Sequence, residues 1–382
     1  MNIVYTGLFA YPDSSANSLR VKGVVRILED LGHDVTICPG LISNTQNISI
    51  EQSIVEINEY ESGFLSNLSS LRGMFVGDKT VAWLESLQQK PDIIILYGTH
   101  LGYLTRLLQF TRKYNIKLIL DVVEWYDPRH LPGGVLGPFA IMNELSMRFF
   151  VKKADGIIVI SEYLKKYYSK YLDKIILIPP LFEENSNKKD RRADDLLPVF
   201  CYVGTPGKKE NFELLFEALD RFYASKIKFR VNFVGMERSD FVSKYQDVNF
   251  INDDEYTCFF GKVKNDKAKE IIASSDFMLV FRPNLRFSNA GFPSKIAESL
   301  SLGTSIFCNN FSDISKYVVN GYNGIIIEDL SFPVFINELN KIFSANDIEY
   351  NIMRKNAYNS FKLNFHKAAY MEKMKKFLKE VC

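Results

Sequence analysis

With 382 residues, 47% of them hydrophobic and 24% charged, the chain is long enough for two hydrophobic cores. Its net charge of +2 supplies no general attraction to a polyanion, which argues against a nucleic-acid partner. Five scattered cysteines (Cys38, Cys201, Cys258, Cys308, Cys382) show neither metal-ligand spacing nor a paired framework, and no window reaches the roughly 18 to 20 apolar residues of a membrane span.

The opening run MNIVYTGLFAYP is strand-like and has no basic, apolar export leader, so the sequence predicts a cytoplasmic protein. Six short β-branched or apolar runs follow one another in the first half: NIVYTG, DVTICPG, DIIILYG, KLILDVV, GIIVIS and KIILIPP. Strands buried on both faces require such runs. Gly7 is expected to end the first, and LFAYPDSSANSLR then supplies Ser14, Ser15, Ala16 and Asn17. From Leu19 to Leu31, Val21, Val24, Val25, Leu28 and Leu31 recur every three or four residues, an amphipathic helix closed by Gly32. Tyr97, Gly98 and His100 stand at the end of DIIILYG, and Asp121, Glu124 and Trp125 at the end of KLILDVV. A structural role is the simpler reading of a lone histidine; its place at a strand mouth makes His100 a site candidate. Between Leu101 and Lys174 there are 12 Lys or Arg against 7 Asp or Glu, including SEYLKKYYSKYLDK. That face suits solvent, or the surface of an anionic membrane.

The stretch FEENSNKKDRRADDLLP, Phe182 to Pro198, lacks either periodicity and reads as a linker. Beyond it come VFCYVG, FRVNFVG, DVNFIN, DFMLVF, TSIFCN and NGIIIE, again alternating with helical segments, so two doubly wound parallel sheets are expected. In YVGTPGKKENFELL the strand ends at Gly204 and a short loop delivers Lys208 and Lys209; the glycine spacing is not that of a P-loop. No Asp-x-Asp pair occurs, and Asp253, Asp254 and Glu255 cluster in an expected loop. After DFMLVF an irregular loop is expected through RPNLRFSNA, and Gly291 and Pro293 then lead into a helix whose Ile296, Ala297 and Leu300 face the sheet. Such a helix start is a ready anion site. Glu298 lies about 155° from the centre of that apolar face and therefore meets solvent or a ligand. The last segment, Ala357 to Val381, keeps helical spacing at Phe361, Phe365, Met374 and Phe377 and is long enough to cross back to the first domain.

AGFPSKIAESLSLGTSI with NGYNGIIIE after it, together with ADGIIVISEYLKKYY, YVGTPGKKENFELLFEAL and MRKNAYNSF, resembles the retaining nucleotide-sugar glycosyltransferases of the GT-B fold, the family 4 group. The resemblance implies two Rossmann-like domains facing a central cleft: an acceptor-side domain over 1–181 with a crossover helix at 361–382, a linker over 182–198 and a donor-binding domain over 199–360. It implies that Gly291, Phe292, Pro293 and Ser294 form the donor turn and that Glu298 holds the donor ribose. Ala290 stands where the family has its first glutamate, so Asn289 or the Gly291 backbone is the expected substitute. Gly204, Lys208 and Lys209 fall at the diphosphate, with Arg282 or Arg286 as the second cation. FFGKV, Phe259 to Val263, resembles the segment that touches the base. Ser15, Asn17 and Tyr97 fall on the acceptor side, and His100, Glu124 and Lys208 are the candidates nearest the reaction.

The implied reaction moves a sugar to a saccharide or lipid-linked acceptor with retention, in bacterial surface polysaccharide (capsule, O-antigen) assembly. It uses no metal and no cofactor beyond the nucleotide-sugar donor, and takes place in the cytoplasm or on the inner face of the cell membrane. Two alternatives stay open: a GT-B epimerase or phosphorylase, and a binding module without catalysis.

Overall fold

A computed structural model describes residues 1–12, 15–42, 53–60, 76–184, 197–204 and 210–382; Ser14, Lys208, Lys209 and most of the expected linker lie outside this set. The chain divides into two compact units. Unit 1 comprises Met1–Leu181, Asn289–Phe292 and Lys367–Cys382; unit 2 comprises Phe182–Ser288 and Pro293–His366.

In unit 1 the elements alternate as β1 (Asn2–Ala10), α1 (Ala16–Asp30), β2 (Asp34–Leu41), a two-residue edge strand β3 (Ser53–Ile54), α2 (Asp78–Ser86), β4 (Ile93–Tyr97), α3 (Leu101–Tyr114), β5 (Lys117–Val122), α4 (Pro138–Leu145), β6 (Gly156–Val159), α5 (Glu162–Tyr168) and β7 (Ile175–Leu177). The sheet is parallel, in the order β3-β2-β1-β4-β5-β6-β7. Ile93 to Leu96 are at most 1% exposed, as the unbroken apolar run demands. Ser15 opens α1 as its N-cap, its Oγ accepting from the Ser18 amide at 3.2 Å, and Val21, Val24, Val25 and Leu28 bury the helix against the sheet. The first strand does not end at Gly7: it continues to Ala10 after a register shift. Gly7 has φ +150°, and a Cβ there would lie 2.7 Å from the Tyr97 carbonyl oxygen, so only glycine lets β1 approach β4 at this point.

Unit 2 runs β8 (Val199–Val203), α6 (Glu213–Ala224), β9 (Arg230–Val234), α7 (Arg238–Val242), β10 (Thr257–Phe259), α8 (Asn265–Ala273), β11 (Phe277–Val280), α9 (Arg286–Ala290), α10 (Ser294–Ser301), β12 (Ser305–Asn309), α11 (Ile314–Tyr317), β13 (Gly324–Ile327), α12 (Phe332–Ser344) and α13 (Asp347–Asn364). Its parallel sheet has the order β10-β9-β8-β11-β12-β13. DVNFIN is not a strand: Phe250–Asn252 form a 3-10 turn, and the edge strand is Thr257–Phe259. The expected loop RPNLRFSNA contains α9, whose last two residues, Asn289 and Ala290, are counted with unit 1. The core of this unit is built from phenylalanines, among them Phe200, Phe216, Phe233, Phe281 and Phe307, packed largely edge to face.

The expected crossover begins later than 361. Phe361 to Asn364 complete α13 in unit 2, and unit 1 resumes at Lys367 with a 3-10 turn and α14 (Met371–Val381). Met374, Phe377, Leu378 and Val381 of α14 join the unit 1 core. Gly156 makes this docking possible, since a Cβ there would lie 2.8 Å from Val381 Cγ2 and 2.9 Å from Phe377 Cζ. Among the described residues no helix is long and apolar enough to cross a membrane.

Candidate active site

In each sheet the strand order reverses beside the first strand of the unit, and open α/β sheets take ligands at the carboxyl ends of the strands next to such a reversal. In unit 2 that point lies between β8 and β11. β8 is followed by Gly204, held at φ +120°, and beyond β9 and β10 come Gly235 at φ +94° and Gly261 at φ +58°. The Gly204 amide donates to the Val234 carbonyl at 2.8 Å and the Gly235 amide to the Gly261 carbonyl at 2.7 Å, so three adjacent strand ends present backbone without side chains. A Cβ on Gly204 would lie 3.0 Å from Lys295 Nζ. The glycine thus makes the space in which this lysine, from the first turn of α10, lies across the Tyr202 ring at 4.3 Å from its centroid.

Lys295 is an unusual cation. Burial pulls its amine down to about 8; the neighbouring Arg282 guanidinium pushes the same way, and Glu210 opposes both. Arg282 is fixed through its backbone, its amide donating to Asn309 Oδ1 at 2.9 Å while Asn309 Nδ2 donates to the Arg282 carbonyl at 2.8 Å. Two positive groups thus stand close together at the sheet edge, and among the described residues Lys295 Nζ makes no hydrogen bond or ion pair. One turn along α10, Glu298 is half-buried and outside the apolar core; burial raises its carboxyl above the usual range, with Lys269 and Lys295 opposing. The N-cap residue Pro293 supplies no side-chain cap to α10, whose first amides add a partial positive charge. The arrangement is chemically suited to an anion beside a group bearing hydroxyls.

The other donor-side expectations divide. Lys208 and Lys209 lie outside the described residues. Pro293 occupies the N-cap position and Ser294 starts the helix. Asn289, Ala290, Gly291 and Phe292 are counted with unit 1, where Ser161 Oγ donates to the Ala290 carbonyl at 2.8 Å. Ala290 and Phe292 are buried, so the position of the family's first glutamate is an apolar packing site here. Phe259 stacks on Phe233 at 4.5 Å and helps close the unit 2 core beside Gly261. Lys295 and Asn309 carry no role in the sequence analysis. Lys295 precedes Glu298 by three residues and so shares its face of the helix, a legible signal; Asn309 reads only as the polar end of SIFCN.

In unit 1 the reversal lies between β1 and β4. A cavity of about 220 Å³ opens there, lined by Leu8, Asn17, Tyr97, His100, Glu124 and Tyr126 and by Phe139, Met142 and Asn143 of α4. Tyr97 donates its hydroxyl to Asn17 Oδ1 at 2.8 Å. Burial raises the Tyr97 and Tyr126 phenols, and the Glu124 carboxylate adds to both, so both stay protonated. His100 Nδ1 is buried with no hydrogen-bond partner among the described residues. Burial, then Arg106, lowers the His100 imidazole, which favours its neutral form. Ser15, expected on the acceptor side, is occupied in capping α1 instead. Asp121, the other strand-end carboxylate, points into the protein and is paired with Arg20.

The Glycosyltransferase Family 4 domain matches residues 20–183 and the Glycosyl transferases group 1 domain matches residues 183–360. The chain is 24% identical over 246 residues to an uncharacterized glycosyltransferase, MJ1069, of Methanocaldococcus jannaschii; the match spans 61% of this chain and 60% of that protein. Among solved structures, sucrose-phosphate synthase of Thermosynechococcus elongatus superposes with a TM-score of 0.72 at 13% identity, over 100% of this chain and 99% of that one. HepE of Anabaena, in complex with UDP and glucose, gives 0.70 at 13% identity over 99% of each chain. These likenesses establish two parallel-sheet domains of the GT-B type.

Proposed function

The chain belongs, by its two domains, to the GT-B glycosyltransferases, and on that premise we propose that it transfers a sugar from a nucleoside diphosphate donor to a saccharide or lipid-linked acceptor, with retention, in bacterial surface polysaccharide assembly. Lys295 and Arg282 neutralise the diphosphate, the first-turn amides of α10 add their dipoles, and Glu298 accepts hydrogen bonds from the ribose hydroxyls. The glycine edge at Gly204, Gly235 and Gly261 leaves room for the nucleoside. During transfer the bond from the anomeric carbon to the diphosphate breaks while the acceptor oxygen bonds on the same face, and the departing phosphate oxygen takes the acceptor's proton. Stabilisation of that leaving group by fixed cations and amides is electrostatic catalysis, and it leaves neutral His100 to orient the acceptor hydroxyl.

The observation that carries this reading is Lys295: its ammonium lies under a glycine that admits it and beside a second cation, with no hydrogen bond or ion pair of its own among the described residues, and burial lowers it despite the opposing Glu210 carboxylate. Calorimetric titration with nucleosides and their diphosphates tests it. The diphosphate is expected to bind far more tightly than its nucleoside; equal affinities would reject the site. The apolar Ala290 at the family's first glutamate favours one rival, nucleotide binding without turnover. Release of nucleoside diphosphate from a panel of nucleotide sugars, in the presence of acceptor extracts, separates the two.

A further inference from the structure

Helix α4 shows different chemistry on different faces. Phe139, Met142 and Asn143 line the unit 1 cavity, and Glu144 is held by the Trp125 indole N–H at 3.0 Å and by Arg148 Nε at 2.7 Å. On a separate face Ile141, Leu145 and Phe149 recur every four residues, continuing into the π turn Ser146–Phe150, and all three are exposed. Val135 and Leu136, in the turn just before the helix, extend this stripe, with Leu136 88% exposed. Scattered apolar side chains need no explanation, but a helical stripe of them does.

The charges beside the stripe identify its partner. From Gly134 to Lys153 the chain carries Arg148, Lys152 and Lys153 and a single carboxylate, Glu144, which Arg148 and Trp125 already occupy. Lys152 lies over the Tyr171 ring at 3.3 Å from its centroid, and Lys153 over Phe150 at 4.4 Å. Exposed aliphatics, rings and cations side by side form an interfacial surface. A second copy of the chain would bring the same cations and no unoccupied carboxylate from this segment to meet them. An anionic bilayer supplies the missing charge and an apolar bed together.

We propose that the α4 face of unit 1, through Leu136, Ile141, Leu145 and Phe149 with Lys152 and Lys153, docks on an anionic lipid surface and brings the neighbouring cavity to it. The SEYLKKYYSKYLDK run contributes Tyr171, under Lys152, to this surface; its Leu164 and Tyr168 are buried and Tyr167 packs on Trp125. The consequence for the acceptor, that its saccharide enters the cavity while its lipid stays in the bilayer, rests on the reading of that cavity as the acceptor site.

Flotation with vesicles of phosphatidylcholine, alone or mixed with phosphatidylglycerol, tests the proposal on the full chain. The native protein is expected to float with the mixed vesicles only, and less as salt is raised. Leu136→Ser with Ile141→Ser and Phe149→Ser should lower the partition coefficient about tenfold or more. Lys152→Gln with Lys153→Gln should lower it about fivefold for each cation at low salt. Flotation of the serine variant equal to native, or no preference for the mixed vesicles, would overturn the inference. So would sedimentation showing a native dimer that the serine variant dissociates. Nucleoside diphosphate affinity is measured on the same samples: its presence without flotation sinks this inference alone, and its absence with flotation intact sinks the donor-site reading alone.

Discussion

The points where strand order reverses in the two sheets both collect charge, but the charge is handled in opposite ways. Beneath the unit 1 reversal Arg20 and Asp121, 4% and 0% exposed, form a two-pronged pair at 2.8 and 3.0 Å. Tyr5 donates its hydroxyl to the same carboxylate at 2.6 Å, and Arg20 Nη1 donates to the carbonyls of Ile178 and Pro179. Every strong donor and acceptor there is satisfied within the protein, as a buried ion pair requires. In unit 2 Lys295 and Arg282 reinforce rather than cancel each other. Similar topology therefore yields a structural charge in one unit and a receptive one in the other: Arg20 and Asp121 are buried and paired, whereas Lys295 and Arg282 are half-buried and alike in sign.

The largest effect expected from this contrast is on folding. Arg20→Ala leaves the Asp121 carboxylate buried and unpaired, which costs about 3 to 5 kcal/mol of stability. Denaturant melts should show that loss, with nucleoside diphosphate affinity unchanged in the protein that remains folded. Lys295→Ala should do the reverse: affinity for the diphosphate falls by about 1.5 to 3 kcal/mol, the range for hydrogen bonds to charged groups, while affinity for the nucleoside holds. Its melting temperature should stay level or rise, because a desolvated charge has been removed. A destabilised Lys295→Ala would collapse the contrast between the two units.

The parts of this contrast that the sequence discloses are local ones. Short β-branched or apolar runs mark eleven of the thirteen described strands because parallel strands are buried on both faces, whereas DVNFIN shows the limit of that signal. Its apolar residues are buried in a 3-10 turn because Asp220 accepts from the amides of Asn249 and Phe250, at 2.8 and 3.0 Å, from 29 and 30 residues away. Helix α9 spans five residues, too few for a period to register. Glu298 is legible by its angle from the apolar face, and Lys295, about 60° from it on the same wheel, is equally so. Arg20 and Asp121 are 101 residues apart, and nothing in either neighbourhood announces the other.

A pH titration sharpens the comparison at smaller amplitude. Because the Lys295 amine in the free protein sits near 8, below its ordinary value, it loses its proton as pH rises through that point. Diphosphate binding that requires the ammonium should then weaken by about tenfold per pH unit above 8, until the value in the complex is passed. Stability of the free protein moves the other way. The unfolded chain holds the proton up to the ordinary lysine range, so the folded state gains as pH rises between about 8 and 10. Lys295→Gln should abolish both slopes. Arg20, whose guanidinium burial disfavours but Asp121 more than restores, contributes neither.

The smallest expected effect belongs to Glu298, and it separates the two halves of the donor. Glu298→Gln keeps the shape and one acceptor oxygen but exchanges charge-assisted hydrogen bonds for neutral ones, a loss of about 1 kcal/mol. If the carboxylate holds ribose, nucleoside and nucleoside diphosphate should weaken equally, whereas Lys295→Ala weakens the diphosphate alone. The native affinity should also fall at acid pH, as the raised carboxyl protonates, and the glutamine variant should lose that dependence. A Glu298→Gln loss confined to the diphosphate would place the carboxylate with the cations instead, as the group that holds Lys295 in position from one turn away. The ribose contact would then have to come from elsewhere in unit 2.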